Sequence, residues 1–116
     1  LVSAAVWVLT LAVAAGIGLG LWHLRDNSRP PFAAGIAHGV IGTAGLGALL
    51  LALRGPPRGV ANGVGSFGTT AAVLFAAALV IGLVLLILRR RSVVMAIHAG
   101  IAITAYTLLL AWNLLG

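Results

Sequence analysis

Residues 67–88, FGTTAAVLFAAALVIGLVLLIL, hold neither a charged side chain nor a proline. At 1.5 Å per residue, a helix of this length crosses a hydrocarbon core of about 30 Å. Three other stretches, residues 3–24, 32–53 and 93–115, have the same apolar character. In lipid, backbone groups must be paired within a helix or around a closed barrel, and the short alternating strands of a barrel are absent. The sequence therefore predicts an all-α fold: an integral membrane, antiparallel four-helix bundle forming one domain over residues 1–116.

The segments between these stretches fit that layout. Arg25-Asp26-Asn27-Ser28-Arg29-Pro30-Pro31, Arg54-Gly55-Pro56-Pro57-Arg58-Gly59 and Arg89-Arg90-Arg91-Ser92 combine charge with helix-ending residues. The first stretch is longer than the apolar region of a cleaved leader, lacks a basic start and is followed by Arg25 and Arg29, so it is expected to remain as a helix. Arg25, Arg29 and Arg89 to Arg91 fall on one side, against Arg54 and Arg58 on the other. The positive-inside rule then makes the loops near 25–31 and 89–92 cytoplasmic and puts both termini outside, with a bacterial inner membrane as the expected location. Trp22 is expected at the basic interface, and Trp7 and Trp112 near the opposite one.

Composition narrows the function classes. Of 116 residues, 62% are hydrophobic and 7% charged, which leaves no soluble domain in which an enzyme could be built. No cysteine is present, excluding disulfides, thiolate metal sites and cysteine nucleophiles. The net charge of +6 comes from loop arginines and reflects topology, so no nucleic-acid partner is expected. With no Lys there is no phosphate-binding loop of the Gly-Lys type, and Gly16-Ile17-Gly18-Leu19-Gly20 lies inside a span without the strand a dinucleotide fingerprint needs. The one acid, Asp26, sits in a loop, whereas proton-coupled cation export wants a carboxylate inside the membrane.

A repeat organises the chain. Gly18-Leu19-Gly20-Leu21-Trp22-His23-Leu24-Arg25 matches Gly82-Leu83-Val84-Leu85-Leu86-Ile87-Leu88-Arg89, and Ala37-His38-Gly39 corresponds to Ile97-His98-Ala99. This pattern predicts a duplicated helical hairpin.

Ionisable residues within membrane spans point to function. His38 and His98 each lie six or seven residues into their helices, roughly 9 to 10 Å below the same basic surface. The second and fourth helices of an up-down bundle run parallel and sit diagonally, so two inward imidazoles share a centre. One histidine from each of two helices suits axial ligation of a b-type haem, whereas zinc wants a third or fourth protein ligand. Ala34, Gly35, Gly42 and Gly45 share the His38 face and leave room for a flat macrocycle. Arg25, Arg29 and Arg89 to Arg91 are placed to meet its propionates. The alternative is that each histidine bonds a carbonyl or a hydroxyl such as Thr43, Thr104 or Tyr106, and that the small-residue stripes only pack helices.

The four-span layout with Ala37-His38-Gly39 and Ile97-His98-Ala99 resembles the four-helix membrane cytochromes b. This resemblance implies haem b held by His38 and His98, electron transfer without bound-substrate proton chemistry, and His23 as an alternative ligand or a quinone contact. Those cytochromes commonly carry more histidines and often a second haem, for which ligands are lacking here. The competing expectation is a non-catalytic accessory subunit whose Gly-rich faces pack against other membrane subunits.

Overall fold

A computed structural model describes residues 1–26, 29–88 and 92–116. They form helices α1 (Val2–Asp26), α2 (Phe32–Ala52), α3 (Phe67–Leu88) and α4 (Ser92–Leu115) in a compact rod of 46 × 21 × 20 Å. All four are long and apolar enough to cross a membrane. The Arg89 to Arg91 run and Asn27-Ser28 lie outside the described residues, so the expectations placed on Arg89 fall there too.

Local chemistry sets the helix ends. α1 runs on to Asp26 with His23 and Arg25 in its last turn, where cations offset the partial negative charge of unpaired carbonyls. Pro31 precedes α2 with φ −53°, a torsion its ring enforces, and its carbonyl accepts from the Ala34 and Gly35 N–H groups. Between α2 and α3 the chain folds on itself. Gly59 and Gly63 adopt φ of +78° and +73°, and the Val64 N–H returns to the Gly59 carbonyl at 2.9 Å. This loop reaches the end of α4, where carbonyls have no partners within the helix. Arg58 donates to the Asn113 carbonyl at 3.0 Å and lies over the Trp112 ring, 5.4 Å from its centroid. Asn62 donates to the Leu115 carbonyl at 2.6 Å.

Each helix packs on two others, α1 and α3 both against α2 and α4, while the diagonal pairs α1/α3 and α2/α4 make no backbone approach within 8 Å. Within each hairpin, a large side chain seats on a glycine of the partner helix. Leu9 fills the position a side chain would take at Gly45, and Trp112 does the same at Gly68. Trp112 is only 4% exposed, against 72% for Trp7 and 44% for Trp22. Trp112 stands in the last turn of α4, and bare Gly68 backbone opposite it lets the indole turn inward to the core.

Buried positions recur regularly. Ala5, Leu9 and Ala12 of α1 correspond to Ala71, Phe75 and Ala78 of α3, and Gly45, Leu49 and Ala52 of α2 to Ala105, Leu109 and Trp112 of α4. In α1 and α3 this register differs by two residues from the match of Gly18 with Gly82, because apolar letters align easily in several frames. One polar link breaks the correspondence. Tyr106 and Thr10 hydroxyls lie 2.7 Å apart, and since Thr10 donates its proton to the Val6 carbonyl, Tyr106 donates to Thr10. The equivalent positions on the other side, Leu46 and Ala76, are apolar.

The core occupies one end of the rod. Every buried residue of α1 and α3 lies in the first part of its helix, and every buried residue of α2 and α4 in the last part. Among the described residues, none toward the opposite end is buried.

Gly45→Val forces a branched side chain into the space held by Leu9 and should lower stability by about 1 to 3 kcal/mol. Gly47→Val meets open space and should stay within about 0.5 kcal/mol of the parent. Reversible unfolding in micelles, followed by far-UV circular dichroism, distinguishes the two.

Candidate functional site

The two helix interiors that carry histidines are built alike. His38 and His98 are each six residues beyond the first residue of their helix, about 9 Å along the axis. α2 and α4 stand on a diagonal, and the two imidazoles reach across it. Their ring centroids are 6.1 Å apart with planes at 84°. Two imidazoles bound to one metal from opposite sides through bonds of about 2 Å hold their centroids roughly 6 Å apart. Both rings are half-buried, just past the last buried layer of Ala12 and Ala78.

Each ring lies against the neighbouring helix of its own hairpin, at a glycine. A Cβ at Gly16 would stand 2.9 Å from His38 Cε1, and one at Gly82 would stand 3.1 Å from His98 Cε1. One turn earlier on each of these helices is an alanine whose carbonyl faces the ring. His98 Nδ1 lies 2.7 Å from the Ala78 oxygen; a carbonyl only accepts, so Nδ1 carries the proton and the Nε2 lone pair is left for another partner. The Ala12 carbonyl is the corresponding partner of His38, but the buried His38 Nδ1 does not reach it at ordinary hydrogen-bond length. A metal-ligating histidine typically donates its second N–H to a carbonyl, which is the arrangement at His98.

Of the partners considered for these rings, a carbonyl of the neighbouring helix is the one found, Ala78 for His98, and the hydroxyls are engaged elsewhere. Thr43 and Thr104 donate to carbonyls one turn back in their own helices, at Gly39 and Gly100, and Tyr106 donates to Thr10. Of the other residues singled out in the sequence, Gly42 is half-buried beside open space, Gly45 lies under Leu9, and Gly35 faces Leu86. Arg25 and Arg29 are exposed at the histidine end of the rod, and His23 is half-buried in the last turn of α1. No group of three or more His, Cys, Asp or Glu side chains comes together among the described residues. A metal held here by side chains alone would have two ligands, so the arrangement suits a metal whose other positions are filled by a macrocycle.

The residues that position the pair escaped the sequence reading. Ala12-x-x-x-Gly16 and Ala78-x-x-x-Gly82 occur in α1 and α3 at equivalent places. This small-residue spacing signals close helix approach, and its recurrence opposite the two histidines was the available clue. No family model matches the sequence, and no curated protein or solved structure is found similar to it.

The imidazole tautomer gives a direct test. In protein labelled with 15N-histidine, His98 should show a protonated Nδ1, and Gly82→Val, which drives a side chain into the ring, should abolish that signature. Gly100→Val, on open helix surface, should leave it intact.

Proposed function

We propose that the chain is a duplicated hairpin folded as an antiparallel four-helix bundle, spans a lipid bilayer, and holds one b-type haem between His38 and His98. The observation that carries this reading is the meeting of the two imidazoles at 6.1 Å from diagonal helices, at the level where the buried core stops. Three further features support it. The rings come from helices whose backbones stay more than 8 Å apart, so a flat group between them meets no helix backbone on that diagonal. His98 has its Nε2 lone pair available. Arg25 and Arg29 are exposed at the near end, available for charge-assisted hydrogen bonds to propionates.

In this role the residues divide the work. His38 and His98 would supply the nitrogens that hold the haem iron. Gly16 and Gly82 let each ring lie close to its neighbouring helix, and Ala78 fixes the orientation of one ring. The apolar spans exclude water and offer no carboxylate to shuttle protons, Asp26 being the sole acid and lying at the end of α1. When bound, haem supplies a one-electron couple, so the function is electron transfer within or beside a larger membrane complex. A quinone near His23 would be one such redox partner.

A reduced-minus-oxidised visible spectrum of the purified protein tests this. Sharp low-spin haem bands are expected, and both His38→Ala and His98→Ala should lose them. A folded, colourless parent from haem-replete cells would instead favour the accessory subunit packed among other membrane proteins. Topology is tested separately. The chain has no cysteine, so an Arg54→Cys variant carries one thiol. It should react with a membrane-impermeant maleimide in intact cells, whereas Asp26→Cys should react only after the membrane is opened.

A further inference from the structure

The two histidines differ in what holds them. His98 is fixed through Nδ1–H to the Ala78 carbonyl at 2.7 Å, which sets its tautomer and its orientation. His38 is held less firmly, since its buried Nδ1 faces the Ala12 carbonyl without a hydrogen bond of ordinary length. A second, independent difference lies on the helices that carry the rings. The positions one and four residues beyond His38 are Gly39 and Gly42, and the corresponding positions beyond His98 are Ala99 and Ala102. A side chain at Gly39 or Gly42 would touch nothing within 4 Å. α2 therefore lacks two methyl groups that α4 has, and the space beside His38 is open.

Building on the haem reading above, we infer that His98 is the permanent axial ligand and His38 an exchangeable one, so that the reduced site binds a small neutral diatomic molecule of the carbon monoxide, nitric oxide and dioxygen class. In the exchange the bond from metal to His38 Nε2 breaks and one from metal to the diatomic forms. The imidazole leaves neutral, and with carbon monoxide no electron is transferred. His38 turns away over Gly39 and Gly42, while the Ala78 carbonyl keeps His98 in place. The site thereby gains a gas-binding function beside electron transfer.

Carbon monoxide is the probe. The intact protein, haem-loaded in micelles and reduced with dithionite, should shift from its low-spin spectrum to that of a carbon monoxide adduct. His38→Ala should retain haem, be high-spin before the gas is added, and form the adduct at least tenfold faster. His98→Ala should lose most of its haem under matched expression. Gly39→Val, which adds a side chain in the open space beside His38, should keep the low-spin bands and slow adduct formation at least tenfold, whereas Gly100→Val should match the parent. Low-spin bands that carbon monoxide leaves unchanged would overturn the exchange while keeping the haem reading. Haem retained by His98→Ala and lost from His38→Ala would reverse the assignment and overturn it equally. A parent without haem bands would overturn both.

Discussion

Close approach of two helices at a bare glycine is the contact on which this molecule depends. It occurs four times within the hairpins, Leu9 on Gly45, His38 on Gly16, Trp112 on Gly68 and His98 on Gly82, and once between them, Leu86 on Gly35. An apolar environment offers helices no hydrophobic reason to associate, so dispersion contacts that require small residues carry the association instead. Two of the four seats are taken by core side chains and two by imidazoles. The forces that close each hairpin are thus the same ones that aim its histidine.

The two hairpins are joined in different ways along their two seams. α2 meets α3 where the covalent loop already links them, and Leu46 and Ala76, which correspond to Tyr106 and Thr10, are apolar. α1 meets α4 without a connection, and there Tyr106 donates to Thr10, which donates to Val6. Hydrogen bonds between membrane helices average about 0.6 kcal/mol, too little to drive assembly but directional enough to fix the register of a seam that nothing else ties. The loop does the corresponding work at the rod's end, where Arg58 and Asn62 pair with carbonyls of α4. Rigidity is concentrated at that end, and the histidines stand where it gives way to looser packing.

How much of this was legible in the sequence depends on what a residue letter records. The four helices were, because hydropathy over some twenty residues needs no knowledge of neighbours. Their ends lie within two residues of the apolar limits, proline and arginine marking them. The pairing of His38 with His98 could be expected from equal depth. Which face of each helix turns inward could not, since helices apolar all round carry no amphipathic mark. That ambiguity hid the two-residue shift in the repeat and the inward turn of Trp112. The Ala78 carbonyl was hidden for a simpler reason: every residue has one, so no letter announces it.

The fourfold glycine seating also has a temporal side. Both seats of the first hairpin, Gly16 and Gly45, lie with their occupants within residues 9–45, so the internal contacts of this unit require nothing from α3 or α4. The second hairpin is different. Its seat at Gly68 waits for Trp112, and the loop waits for Asn113 and Leu115 before Arg58 and Asn62 find their acceptors. A ribosome pausing between the hairpins would leave a finished half beside a growing one, and the clasp that joins them closes only when the end of α4 emerges.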